Sequence, residues 1–442
     1  MRTVGVMFRR FLVIVCGAAC GIILATAVTR WHPAWSLWPN RPLDRDTAYF
    51  RKVLDLVARN YVDAKDADHD RLTKAALEGM IRSLDPHSEF MEARDFRELS
   101  EEMDGRFGGI GIQVERRDNR VVVIAPIADS PAERAGVQRG DEIVKVDGQS
   151  LEKLGMDRII ERLRGPPKTK VSLTLFRPLS RQTVTVSLVR EIIAVDSVRD
   201  VHLLAHGIGY VQVTQFTERT GAEFKQALRR LLLQGATALV LDLRSNPGGL
   251  LDAAVAVAEP FFKPGELIVY TQGRAEDSRE ESRAGSGAGW ARLPVAVLVN
   301  AGTASAAEIV AGALRDTGRA VVVGETTFGK GSVQTIFKLR EGEGLRLTTA
   351  RYFTPGGVSI HEKGIAPQVP VAVSADDEAK LRLQRLRGDL ADPKEFVARF
   401  GFEPVPDRPL ETAVDLLKGA ALYRDRCRAP ADTAARPAPP PT

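Results

Sequence analysis

The pattern of apolar and polar positions changes several times along the chain, and each change predicts a different kind of element. Over residues 44–103 apolar side chains recur at helical spacing, as in Tyr49, Val53, Leu56 and Val57, then Leu72, Ala76, Met80, Ile81 and Leu84, before Asp85-Pro86 ends the run. A helical N-terminal region is predicted there. Over 107–190 short runs bounded by turn residues predict strands at 121–125, 142–146, 170–176 and 183–188, with short helices at 131–135 and 156–163. That texture belongs to a compact mixed domain. Within 191–373 predicted strands at 208–213, 238–243, 295–299 and 320–323 alternate with helices at 222–233, 250–258 and 304–314. The second and third of these strands are almost continuously apolar, as expected where a sheet is covered on both faces, so this region predicts an α/β core. Residues 374–427 predict a peripheral helical region, and 428–442, rich in Ala and Pro, a disordered tail.

The N-terminus carries a separate signal over residues 1–30. Arg9 and Arg10 precede eighteen uncharged residues, 11–28, near the lower limit for a membrane-crossing helix. Ala25-Thr26-Ala27 offers a small-x-small cleavage site, whereas Trp31, Trp35 and Trp38 suit an uncleaved anchor with an aromatic belt. Either outcome is an export or membrane-targeting segment. Lipidation at Cys20 is disfavoured, because Gly17-Ala18-Ala19 lacks the aliphatic residue such a site needs.

Charge and cysteine content narrow the classes further. The 442 residues contain 62 Lys plus Arg against 57 Asp plus Glu, a formal +5, of which Arg2, Arg9, Arg10 and Arg30 supply four. The remainder is close to neutral, with no basic stripe, which excludes a nucleic-acid binder. Three cysteines, Cys16, Cys20 and Cys427, are too few for a disulfide framework, and six scattered histidines make no metal-ligand spacing. No metal or cofactor is called for.

Candidate chemistry concentrates in 300–334. Ser305 falls where a buried strand passes into a helix, so its hydroxyl sits at a helix N-terminus whose free N–H groups favour developing negative charge. An ordinary N-cap would look the same. The next strand delivers Gly329-Lys330-Gly331, and a lysine can serve as general base once burial lowers its pKa towards neutrality. Val321, Val322, Val323 and Phe328 are the apolar residues expected to bury it. Gln334 is an uncharged amide able to orient the amine. A phosphate-binding loop fails, since Gly331 follows Lys330 where Ser or Thr is required. After the strand at 238–243, Gly248-Gly249 opens a helix and can present N–H groups to an oxyanion, together with that of Ala306; a tight turn is the plainer alternative. In the middle domain the loop formed by Gly108, Gly109, Ile110, Gly111 and Ile112 can cradle a terminal carboxylate and lead into a strand edge that accepts a peptide.

These blocks, in this order, resemble the carboxyl-terminal processing peptidases, or tail-specific proteases: SLDPHS at 83–88, FGGIGI at 107–112, SPAERAGVQRGDEIVKVDG at 130–148, DLRSNPGGLLD at 242–252, TASAAEIVAGALRD at 303–316, GETTFGKGSVQT at 324–335 and TTARYFTPGG at 348–357. The resemblance implies a PDZ domain at 107–190 inserted into a crotonase-like α/β peptidase core. It implies Ser305 as nucleophile, Lys330 as general base, Gln334 as the orienting amide, oxyanion amides at Ala306 and at Gly248 or Gly249, and Asp316 as structural support. Where many relatives have serines at 303 and 307 as well, this chain has Thr303 and Ala307. The expected protein is an exported serine endopeptidase on the periplasmic side of a bacterial inner membrane. It would capture unfolded or C-terminally exposed proteins, form a homo-oligomer, and receive substrates through an adaptor lipoprotein or scaffold. A peptide-binding adaptor with a dead peptidase core is the first alternative. A crotonase-type acyl-CoA enzyme is the second.

Overall fold

The computed structural model describes residues 41–117, 120–127, 129–152, 154–178, 180–285, 289–290, 292–386 and 393–428. The targeting segment expected at 1–30, and all but the first residue of the expected tail, lie outside them. Among the described residues no helix is long and apolar enough to cross a membrane. Two compact units are present, divided after Leu84.

The first unit holds α1 (Arg41–Asn60) and α2 (His69–Arg82), two amphipathic helices packed on each other. Asp68 caps α2 by accepting the N–H groups of Asp70 and Arg71. The helical region expected over 44–103, with its second run ending at Asp85-Pro86, also contains a strand, which lies in the second unit. Asp85 accepts the His87 and Ser88 N–H groups and the Ser88 hydroxyl, closing a turn that feeds strand β1 (Glu89–Met91) before α3 (Ala93–Asp104).

A short antiparallel stem, β2 (Arg106–Gly109) with β9 (Glu191–Ala194), carries the inserted domain. Its sheet runs in the order β3 (Ile112–Arg117), β4 (Arg120–Pro126), β5 (Glu142–Val146), β7 (Lys170–Arg177), β8 (Gln182–Val189), with β6 (Gln149–Ser150) on β5. Helices α4 (Pro131–Arg134) and α5 (Met156–Leu163) close a core of its own around Val123, Ile143, Ile159, Leu173 and Leu175. Alternation is clean in β7, where Val171, Leu173 and Leu175 point inward.

The α/β core is a six-stranded sheet in the order β10 (Val198–Leu204), β11 (Ile208–Val213), β12 (Ala238–Asp242), β15 (Val295–Val299), β16 (Ala320–Gly324), β19 (Val369–Pro370), parallel from β11 onward. Every residue of β12 and β15 is buried. Helices α6 (Thr220–Leu233), α7 (Leu251–Ala258) and α8 (Ala306–Asp316) cover one face through Phe224, Leu228, Val257 and Val310.

Helices α9 (Ala375–Leu386), α10 (Pro393–Phe400) and α11 (Arg408–Arg428) follow. The last is not peripheral. Its Ala413 and Leu417 pack on Tyr210, Val240 and Leu298 of the opposite sheet face, because strands apolar on both sides need a second cover. Arg244, at the end of β12, joins Asp242 to Asp407 at the start of α11, with 1% of its side chain exposed. A second sheet runs β1, β18 (Gly344–Phe353), β13 (Leu267–Gly273), β14 (Arg279–Arg283), with β17 (Ser332–Lys338) also on β18.

Candidate active site

Two loops leave the buried C-terminal ends of β12 and β15 and are stitched together. Asn300 Oδ1 accepts the Ser245 N–H at 2.8 Å, the Thr303 hydroxyl donates to the Leu243 carbonyl at 2.8 Å, and the Ala304 N–H donates to the Asn246 carbonyl at 2.9 Å. The second loop ends at Ser305, held at φ 57° and ψ −120°, a backbone state that a non-glycine residue keeps only when its surroundings enforce it. That state moves the start of α8 from the expected residue 304 to Ala306.

Glu308 does the enforcing. Its fully buried carboxylate accepts the N–H groups of Ser305 (2.8 Å), Gly329 (2.8 Å) and Lys330 (2.9 Å) and the Thr327 hydroxyl, so one side chain fixes both the serine and the main chain of the lysine. Glu308 is not among the site residues expected from the sequence. Its signal was the Ser-x-x-Glu spacing of a capping box, Ser305 to Glu308, read only as part of a longer motif.

Ser305, Lys330, Gln334, Gly249 and Ala306 line one cavity of about 200 Å³. Gly248 does not. Its N–H donates to Asn246 Oδ1 at 2.8 Å, and its Cα backs so closely onto Ser305 that an added Cβ would lie 2.7 Å from the serine Cβ. Among the described residues the N–H groups of Gly249 and Ala306 donate to no protein acceptor, so these two are the ones offered to a ligand. Gly249 is obligatory there, since at φ 141° a Cβ would meet the Phe216 carbonyl oxygen at 2.0 Å.

The lysine approaches from the other side. Gly331 allows the 361–364 loop to close over it, where a Cβ would stand 2.4 Å from the His361 nitrogen. Burial holds the Lys330 amine below the ordinary lysine range, the Arg346 guanidinium adds to this, and the Asp85 carboxylate partly opposes it. The burying residues differ from those expected. Phe328 is 64% exposed and Val321 38%, because both side chains leave the loop and strand on the solvent side. The apolar lining comes instead from Leu99, Met103, Leu251, Ile309, Val333 and Ile336.

Around the lysine a polar chain runs from the 85–88 turn. Ser88 Oγ accepts the Thr348 N–H at 3.0 Å, and Thr348 Oγ1 accepts from Gln334 Nε2 at 3.3 Å, which also donates to Ser332 Oγ at 2.8 Å. Gln334 thus bonds to Ser332 and Thr348 rather than to Lys330. His87 is held below its usual pKa by burial and by the positive charge of Lys330. The Ser305 hydroxyl is bonded to the Tyr352 phenol at 2.9 Å. Tyr352 had no sequence signal of its own, being 47 residues from Ser305 on a strand of the second sheet. Asp316 lies at the far end of α8, bonded to Arg315 and to the Thr354 hydroxyl, and belongs to the scaffold. Among the described residues no group of three or more His, Cys, Asp or Glu side chains is placed to hold a metal.

In the inserted domain Gly109, Ile110, Gly111 and Ile112 line a cavity of about 170 Å³ between β3 and α5, with Leu163 and Arg164 at one end. Gly108 is outside it, paired with Ile192 in the stem and accepting the Gly165 N–H through its carbonyl. Phe107 and Arg164 also line a cleft of about 530 Å³ that reaches Leu99 and Arg346, both of which line the serine's cavity.

Comparison with known proteins agrees with this division. Residues 207–371 match the model of peptidase family S41, and 122–177 match a PDZ domain. A carboxy-terminal-processing protease of Bartonella bacilliformis is 36% identical over 438 residues, 94% of this chain and 98% of that one. The carboxy-terminal processing protease CtpA of Bacillus subtilis is 39% identical over 71% of this chain and 66% of its own length. Among solved structures, a photosystem II D1 C-terminal processing protease is 32% identical, covering 73% of this chain and 92% of that one at a TM-score of 0.42.

Proposed function

Because this chain belongs to peptidase family S41, we propose that it is a serine endopeptidase in which Ser305 and Lys330 form the catalytic pair and the PDZ domain selects substrates by their C-termini. One observation carries the reading: a serine in a strained strand-to-helix turn, a lysine with a lowered pKa and two unengaged N–H groups share one cavity.

In this mechanism the neutral Lys330 amine takes the Ser305 proton as Oγ attacks the peptide carbonyl. The oxyanion forms against the N–H groups of Gly249 and Ala306, each donor being worth about 3–4 kcal/mol by analogy with other acyl-transfer sites. The lysinium then protonates the departing amine, leaving an acyl-enzyme that water hydrolyses by the reverse path. Gln334 keeps a free carbonyl oxygen with which to orient the amine once substrate is bound. Recognition by C-terminus is supported by the adjacency of the cavities: the one at the Gly109–Ile112 loop shares Phe107 and Arg164 with the cleft, and the cleft shares Leu99 and Arg346 with the cavity of Ser305.

The remaining parts of the proposal rest on the sequence. The core is of the crotonase-like kind, and residues 1–30 direct the chain to the periplasmic side of the inner membrane. Homo-oligomers and an adaptor that delivers substrates complete the picture. Cleavage of an unfolded protein with and without its free terminal carboxylate is the test. Loss of at least about 10⁴-fold in kcat is expected for both Ser305→Ala and Lys330→Ala. Full proteolysis by Ser305→Ala would overturn the assignment of the nucleophile, and a wild-type chain that binds the substrate without cleaving it would leave only a peptide-binding module.

A further inference from the structure

The mechanism above leaves one polar group at the nucleophile without a role. Tyr352 projects from β18, with its main-chain N–H bonded to the Gly331 carbonyl at 3.0 Å. Its ring is 3% exposed, so the phenol is fixed. The phenol oxygen lies 2.9 Å from Ser305 Oγ and 2.6 Å from the carbonyl oxygen of Lys330. A single proton therefore serves two acceptors, one on the nucleophile and one on the main chain of the base. Burial, with a smaller push from the Glu308 carboxylate, holds the phenol well above its ordinary pKa, so it stays protonated across the working range and is a donor, never a base.

We propose that Tyr352 is a catalytic residue, a hydrogen-bond donor that stabilises negative charge on Ser305 Oγ when that oxygen attacks and again when it leaves. This rests on the reading of Ser305 as nucleophile. In the resting enzyme the Lys330 carbonyl holds the nearer claim on the phenol proton. During acylation the Oγ–H bond breaks, the proton passes to Lys330 Nζ, the Oγ–C bond forms and the carbonyl electron pair moves onto oxygen. The Tyr352 O–H bond stays intact throughout, and its proton shifts towards Oγ as charge gathers there. In deacylation the Oγ–C bond breaks, the electron pair returns to Oγ, and the lysinium supplies the proton. The contact is thus weaker in the ground state than in either transition state, so its loss lowers kcat and spares KM. Among the described residues no other side chain donates to the nucleophile, and Gln334 donates to Ser332 and Thr348 instead.

The test measures the labelling rate of Ser305 by a small fluorophosphonate, with kcat and KM on an unfolded protein, in the full chain and in Tyr352→Phe and Ser305→Ala. Expected for Tyr352→Phe are labelling and kcat lowered about 10–10³-fold, with KM within about twofold and the melting transition retained. Labelling at the wild-type rate or faster overturns the inference while leaving the serine–lysine reading intact. A wild-type chain that is not labelled at Ser305 brings down that reading and this inference together. Should the phenylalanine variant not fold, 3-fluorotyrosine at 352 keeps the packing and makes the donor more acidic. A labelling rate that rises with this acidity supports the role, and an unchanged or lower rate overturns it.

Discussion

The two halves of the site are built to different standards. The nucleophile half stands on β12 and β15, buried along their whole length, with the Glu308 carboxylate, the Asn300 amide and the close approach of Gly248 all converging on one backbone conformation at Ser305. The base half stands on β17 and β18, whose residues are mostly half-buried; Gln334 bonds to Ser332 and Thr348 of its own sheet, and it is the Tyr352 phenol that reaches the serine. Glu308 crosses between the halves, yet it holds only the main chain of Lys330 and leaves the amine to solvation and to nearby charge. The oxyanion and nucleophile geometry is therefore preorganised, whereas the proton acceptor is set by electrostatics.

That contrast can be broken first at its rigid side. Gly249→Ala forces a Cβ against the Phe216 carbonyl at 2.0 Å, and the loop must move. Steady-state kinetics should show kcat lowered on the order of 10²–10³-fold, the loss of one oxyanion donor. Glu308→Gln is expected to follow, with kcat down about 10²-fold from sub-ångström displacement of Ser305 and Lys330. Its melting curve should show a loss of about 1–3 kcal/mol, because an amide turns donors towards N–H groups that need acceptors. The smallest effect belongs to the electrostatic side. Arg346 helps keep the Lys330 pKa low, so Arg346→Gln raises it and leaves less neutral amine at a given pH. The pH–rate curve should move to higher pH, lowering the rate at pH 7 roughly 2–10-fold without changing its plateau. A curve moved to lower pH would contradict the assignment.

The same division explains what the sequence revealed. Strands covered on both faces write long apolar runs; the one at 295–299 coincides with β15 to the residue, and the one at 238–243 runs one residue past β12. Helix α5 was equally plain from its spacing. The second sheet was not, since β18 (GLRLTTARYF) is half-exposed and neither alternates nor runs apolar, and β1 is three residues inside a helical texture. Ser305 and Lys330 were visible as local motifs. Tyr352, Arg346 and the chain through Ser88 and Thr348 arise from pairing between distant strands, Glu89 opposite Arg346 for example, which no spacing rule reports. Phe328 misled because apolar character alone does not say which way a loop side chain turns.

His87 lies within electrostatic reach of Lys330, so the identity of the base is the question that matters most. The decisive measurement is the pH dependence of kcat/KM for an unfolded substrate in wild type, Lys330→Ala and His87→Gln. The account predicts a rate that rises with pH through a midpoint below the ordinary lysine value, lost in Lys330→Ala and kept in His87→Gln. A rising limb that survives in Lys330→Ala and disappears in His87→Gln would assign the proton to the imidazole and contradict it.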